Sequence, residues 1–238
     1  MRKITLLIIC LYCYNTVSAQ FLRQNRHFLD FGVLLGVANY SGDLAEPNIE
    51  WNQTRPAIGL YARYQISEVL YLKGQLNTGV IFGDDKNSDT RTFREFRFKG
   101  PLVELAAILE YAPFNFGFVT GNADELNFFP YVFAGVGGAF SKPNARYYGS
   151  TFPSPFVKTP FPEGNRSKHL FLSTPIGIGV HVNINARVTV GFETGWRPVY
   201  SDKLDGISIN ANPKENDWYY FGGVTVSYYF GIPWKISN

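Results

Sequence analysis

Apolar and polar residues alternate along this chain in eight separate stretches, and a period of two is the signature of a half-buried strand. In the first stretch Leu29, Phe31, Val33, Leu35 and Val37 share one face, and Asp30, Gly32, Gly36 and Ala38 the other, with Leu34 among them. The second runs over about 57–65 and the third over about 70–82. In the fourth, Val103, Leu105, Ala107, Leu109 and Tyr111 oppose Glu104 and Glu110. The fifth covers about 129–140. In the sixth, Ile176, Ile178, Val180 and Val182 oppose Gly177, Gly179 and His181, and in the seventh Val188, Val190, Phe192 and Trp196 oppose Arg187, Thr189, Glu193 and Arg197. The eighth ends with Val224, Val226, Tyr228 and Phe230 opposite Thr225 and Ser227.

One apolar face and one charged face suit a strand with lipid on one side and a lumen on the other. The pattern predicts an all-β chain, an eight-stranded antiparallel up-and-down transmembrane β-barrel. Glu104, Glu110, Glu193, Arg187, Arg197, Arg63 and Lys73 are then expected to pair in an interior with room for side chains but not for a wide pore. The aromatic runs Trp218-Tyr219-Tyr220-Phe221 and Tyr228-Tyr229-Phe230 are candidate girdle residues at the two membrane interfaces.

The connections separate into two kinds. Those at about 41–55, 83–95, 141–168 and 199–217 are long, whereas Ile66 to Val69 and Ile184 to Ala186 are short. Long outer loops and short inner turns belong to outer-membrane barrels. One inner connection, about 112–128, breaks the rule, and long loops of this kind often carry function. That loop is therefore a candidate periplasmic docking site.

The ends of the chain set the compartment. Met1-Arg2-Lys3, the apolar run Ile4 to Leu11 and the small residues Val17-Ser18-Ala19 form the three-part layout of a secretory signal peptide over 1–19. The run is too short to cross a bilayer as a helix, which takes about 20 residues. The expected organisation is a signal peptide over 1–19, a barrel over 20–230 and a short periplasmic tail over 231–238, with the protein in a bacterial outer membrane. Both cysteines, Cys10 and Cys13, fall in the signal segment, so disulfides and thiolate chemistry are not expected in the mature protein. Losing Arg2 and Lys3 lowers the formal charge from +3 to +1, and the basic residues are scattered, so nucleic acid is not an expected partner. The 21 Phe, 15 Tyr and 23 Gly are abundant, yet the mean hydropathy is near zero, as alternation requires.

Candidate chemistry is sparse. The three histidines, His27, His169 and His181, have no metal-ligand spacing. His181 is expected to be a hydrogen-bonded lumen residue. His169, near Ser167 and Ser173 at the outer rim, is the one place where a barrel hydrolase or acyltransferase would put its base. Gly83-Asp84-Asp85 and Asp202-Lys203-Leu204-Asp205 lack the alternating acids of a calcium loop and read as solvated turns. Gly135-Val136-Gly137-Gly138 lacks the Lys-Ser/Thr of a phosphate loop and reads as close packing in a strand. No enzyme, cofactor or metal is expected.

Several short motifs occur in order. They are Tyr40-Ser41-Gly42-Asp43-Leu44, Gly83-Asp84-Asp85 with Arg91 and Arg97-Phe98, Pro130 to Gly137, Phe140 through Pro143-Asn144-Ala145, and Pro175-Ile176-Gly177-Ile178-Gly179. Glu193, Arg197 and the acidic stretch Ser201 to Ser208 complete the set. Together, over about 31–230, they resemble the PorG-like outer-membrane proteins of the type IX secretion system of Bacteroidota. The segments Phe152-Pro153 and Phe161 to Gly164 match least. The resemblance implies an accessory barrel that links a periplasmic ring, built from a lipoprotein and its partner protein, to the outer membrane. On that reading the ring contacts fall on the long inner loop and the tail, with Asp124, Glu125, Trp234 and Lys235 as the expected partner-binding residues. The alternative is a general surface barrel for adhesion or envelope stability.

Overall fold

The computed structural model describes residues 29–41, 51–87, 95–114, 116–119, 125–149, 157–162, 166–185, 187–201, 204–207 and 217–230. Among the described residues eleven strands form one antiparallel sheet: β1 (Leu29–Ser41), β2 (Arg55–Gln65), β3 (Leu70–Asp84), β4 (Phe96–Tyr111), β5 (Phe116–Val119), β6 (Glu125–Ser141), β7 (Asn144–Tyr147), β8 (His169–Ser173), β9 (Ile176–Asn183), β10 (Val188–Pro198) and β11 (Trp218–Phe230). Short 3-10 turns at Trp51–Gln53 and Asp85–Asn87 follow β1 and β3.

Eight of these strands close a ring. β1 pairs with β2, β2 with β3, β3 with β4, β4 with β6, β6 with β9, β9 with β10, and β10 with β11. The ring is completed where β1 meets β11, from Leu29↔Phe230 to Ser41↔Trp218. Closure leaves no unpaired edge around the belt, as a sheet in lipid requires. Leu29 and Phe230 lie at one end, called here the terminal end, and the long connections at the other, the loop end.

The remaining three strands extend staves of this ring. β5 pairs with β6 beyond the last partner of β4, so much of the expected 112–128 loop is a hairpin reaching past the terminal end. At the loop end β7 pairs with the start of β4. β8 pairs with β6 ahead of β9. Proline marks both loop-end breaks, at Lys142-Pro143 and Thr174-Pro175, because it has no N–H to give the ladder. The expected fifth and sixth strands are therefore longer than the alternation indicated.

The two faces separate as the pattern predicts. Outward positions include Phe31, Leu35, Leu60, Leu76, Leu105, Leu109, Val136, Ile178, Phe192 and Val224, all substantially exposed. The glycines make room inside. A Cβ on Gly179 would sit 2.3 Å from Tyr131 Cζ, and one on Gly177 would sit 2.4 Å from Phe133 Cζ, so two large inward rings fill space that β9 leaves empty.

An exposed apolar belt on a closed barrel belongs in lipid, and one substitution tests it. Leu105 is 65% exposed near the middle of β4. Leu105→Arg is expected to destabilise the vesicle-embedded barrel by about 2–4 kcal/mol, because it carries a charge to the bilayer midplane. In a water-facing position the same change would stay within about 0.5 kcal/mol. Urea titration in phospholipid vesicles separates the two.

Candidate functional site

The lumen is the chemically distinctive region, and it is built in layers from residues on alternating positions of the eight staves. Nearest the terminal end, Arg63 of β2 reaches across to Asp30 of β1, with Arg63 Nε donating at 3.2 and 3.1 Å to the two carboxylate oxygens and Nη2 closer still. Ser227 Oγ donates to Asp30 Oδ2 at 3.3 Å, and the guanidinium lies over the Tyr71 ring at 5.4 Å. A recess of about 30 Å³ opens beside this pair, lined by Asp30, Arg63, Gln65, Tyr71 and Tyr229.

The middle layer is a buried ionic cluster. Lys73 Nζ lies 2.6 Å from Glu110 Oε1 and also pairs closely with Glu193 Oε2. Tyr131 donates its hydroxyl to the same Glu193 oxygen at 2.8 Å. Glu110 Oε2 is 3.6 Å from Arg63 Nη1 and 3.3 Å from His181 Nε2, and Arg63 contacts His181 directly. The His181 ring stacks on Tyr131 at 4.2 Å. Isolated charges in such an interior are costly, and this network matches each to an opposite charge or a polar hydrogen.

Above it, Glu104 of β4 organises a third layer. Asn77 Nδ2 donates to Glu104 Oε1 at 3.0 Å, Tyr219 hydrogen-bonds Oε2, and Arg197 Nε lies 3.5 Å from that oxygen. Arg197 Nη1 donates to the Phe221 carbonyl at 3.2 Å, and its guanidinium stands over the Phe221 ring at 5.2 Å.

At the loop end the interior turns apolar. Tyr40, Ile81, Phe96, Phe98, Phe171 and Phe221 form a cap into which the connections fold Val157, Leu204 and Ile207. Leu204 and Ile207 are fully buried. Gly206, at φ 80°, provides the left-handed turn that lets Leu204, Asp205 and Ile207 all face inward. The Tyr40 hydroxyl lies 2.9 Å from Asp205 Oδ2 and 2.8 Å from Asp217 Oδ1. Those carboxylates in turn accept the Ile207 and Leu204 amides at 2.8 and 2.9 Å.

Most expected lumen residues are where the alternation placed them: Glu104, Glu110, Glu193, Arg197, Arg63, Lys73 and His181 are all buried. Arg187 is a correction. It precedes β10 in the turn, is exposed, and donates from Nη1 to Tyr228 Oη at 3.0 Å, because the ladder that orients inward side chains begins only at Val188. The girdle needs a correction too. Trp218 faces outward, whereas Tyr219 and Phe221 point into the cap.

Nor are the described acidic residues of these segments solvated. Asp205 is buried in the cap. Asp84 and Asp85 are buried beside β4, where Asp85 Oδ2 accepts the Phe96 amide at 3.1 Å and Arg97 Nε donates to Asp84 at 2.7 Å. Tyr148 donates to Asp84 at 3.2 Å, and burial together with the Asp84 charge raises the Tyr148 hydroxyl well above its ordinary range. The overlooked signal was the Leu204-Ile207 pair around Gly206 in an otherwise polar stretch. His169 stacks on Phe171 at 5.7 Å at the rim of the cap.

Of the chosen partner-binding residues, Glu125 begins β6, paired with Val119. Asp124, Trp234 and Lys235 lie outside the described residues, as do the signal segment 1–19, the tail 231–238, Asp202 and Lys203.

No curated protein matches the chain by sequence. Solved structures similar to it include Neisserial surface protein A, at 11% identity over 86% of this chain and 97% of that one, with a TM-score of 0.42. A major outer membrane protein from Thermus thermophilus aligns at 14% identity over 85% and 99%, with a TM-score of 0.42. Ail, the attachment invasion locus protein of Yersinia pestis, aligns at 10% identity over 86% and 97%, with a TM-score of 0.38. By its own geometry, a closed ring with an apolar belt outside and paired charges within, the chain is an eight-stranded transmembrane β-barrel. The model of the family described as Domain of unknown function (DUF6089) matches residues 2–234, and the chain belongs to that family.

Proposed function

We propose that this barrel is a non-catalytic membrane anchor of the type IX secretion apparatus, linking a periplasmic ring of lipoprotein and partner protein to the outer membrane. The observation that carries the reading is the filled lumen. Lys73, Glu110, Glu193 and Arg197 occupy the cross-section, and the apolar cap stands above them, so the barrel acts through its surfaces and not as a conduit for cargo. The ordered motifs that resemble PorG-like proteins supply the identity of the ring. β11 ends and the β5–β6 hairpin projects at the same, terminal end. Of the residues proposed for the contact, Glu125 begins β6 in that hairpin, and Asp124, Trp234 and Lys235 lie outside the described residues.

The test is a pull-down of tagged protein from detergent-solubilised native outer membranes, read by mass spectrometry. The ring lipoprotein and its partner are expected to co-purify. Trimming 115–127 or 231–238 should release them while the barrel stays folded. Recovery of the barrel alone, where the ring itself survives solubilisation, would overturn the proposal and leave a general surface barrel for adhesion or envelope stability.

A further inference from the structure

β4 reverses its polarity part-way along its length. From Tyr111 through Leu109, Leu105 and Val103 to Pro101, the outward positions are apolar. The next two outward residues are Lys99 and Arg97, while Phe98 and Phe96, which alternate with them, turn inward and are fully buried. Apolar outside with charge inside is what lipid selects, and the opposite order is what water selects. The boundary of the hydrocarbon therefore falls between Pro101 and Lys99. The strand rise agrees: from Tyr111 to Pro101 it climbs about 34 Å, or about 26 Å of bilayer at a tilt of about 40°, close to the height of a barrel's apolar band.

Cations gather just above that boundary on adjoining staves. Lys142 and Arg146 are exposed on the next stave, and Arg146 stands directly opposite Arg97 in the β4–β7 register. Arg166 and Lys168 are exposed ahead of β8 on the stave after that. Like charges placed directly opposite repel unless an anion lies between them. Asp84 pairs with Arg97 at 2.7 Å, but among the described residues no other ion pair is found in this group of six. On the far side of the same rim the described outward residues Trp196, Tyr200 and Trp218 are uncharged aromatics.

We propose that this basic crescent binds the phosphate groups of anionic lipid in the leaflet at the loop end. The cations sit immediately above the outward row Pro101, Val103 and Leu105. A ligand with phosphates at the height of Lys99 and acyl chains below satisfies both surfaces at once, which a soluble phosphate cannot.

The test uses the folded protein in neutral detergent, titrated with a multi-acyl lipid carrying two phosphate monoesters and with the same lipid after removal of both phosphates. Bound lipid is counted by native mass spectrometry. The phosphorylated lipid is expected to bind at least about tenfold more tightly, and the Lys99→Gln, Lys142→Gln, Arg146→Gln triple variant to lose that binding by about a hundredfold at low salt. Arg187→Gln, a charge removed at the terminal end, is expected to change nothing. Unheated gel mobility reports the fold. If the triple variant does not fold, Lys142→Gln and Arg146→Gln singly carry the test, each weakening binding by about fivefold. Equal binding of the two lipids, undiminished binding by folded variants, or displacement by inorganic phosphate at about 1 mM would overturn the proposal.

Discussion

Lys73→Gln is expected to destabilise the barrel by about 3–5 kcal/mol, because removing one partner leaves its buried counter-charges uncompensated. Lys73 is 2% exposed and faces Glu110 at 2.6 Å together with Glu193, both carboxylates being buried. Tyr131 remains as a donor to Glu193, and Arg63 and His181 remain beside Glu110. Those contacts soften the loss but do not restore a cation between the two acids. Urea titration of the barrel in lipid vesicles measures the effect. A second variant separates charge from volume: Lys73→Met combined with Glu110→Gln and Glu193→Gln is expected to recover much of the stability, since neutral replacement of a whole buried ionic set is often tolerated. A single variant within about 1 kcal/mol of the parent would mean that water reaches this cluster and that the lumen is not packed as described.

Gly36→Val should abolish folding of the barrel, at a cost above about 3 kcal/mol, by preventing closure of the ring. Gly36 and Gly223 are register partners at the seam where the first stave meets the last. A Cβ on Gly36 would sit 2.0 Å from the Gly222 carbonyl oxygen and 2.6 Å from Gly223 Cα. Both obstacles are backbone, so neither can rotate away, and separating the strands would break the ladder that closes the barrel. Gly74→Ala is the matched control. A Cβ there meets nothing within 4 Å, and the change should stay within about 0.5 kcal/mol. Loss of the compact unheated band on a gel for the first variant and its retention for the second is the expected pair of results. A folded Gly36→Val barrel would show that the seam can open further than this backbone spacing allows.

Stave identity and the inward or outward sense of each side chain were legible in the sequence, because both depend on a local property. Successive Cβ atoms alternate across a strand, so Leu105 and Glu104 declare opposite faces without reference to any partner. The inward charges Glu104, Glu110, Glu193, Arg63, Lys73 and Arg197 were all readable in this way. Where the alternation stops carrying a polarity difference, the reading fails. At the loop end of β4 the inside becomes apolar and the outside charged. On β8, Leu170 and Leu172 face outward while Phe171 between them faces the cap. The extensions beyond Pro143 and Pro175 were hidden for that reason.

Partners were another matter. That Lys73 meets Glu193, 120 positions away, follows only from eight registers and the closure of β1 on β11, and no local pattern encodes it. The same holds for Tyr40 of β1 with Asp205 and Asp217 of the connection before β11, three polar residues far apart in the chain and held together in an apolar cap. Sequence periodicity determines which side of the wall each residue faces. The ring geometry alone decides which charges stand across the lumen from one another, since those contacts run between staves far apart in the chain.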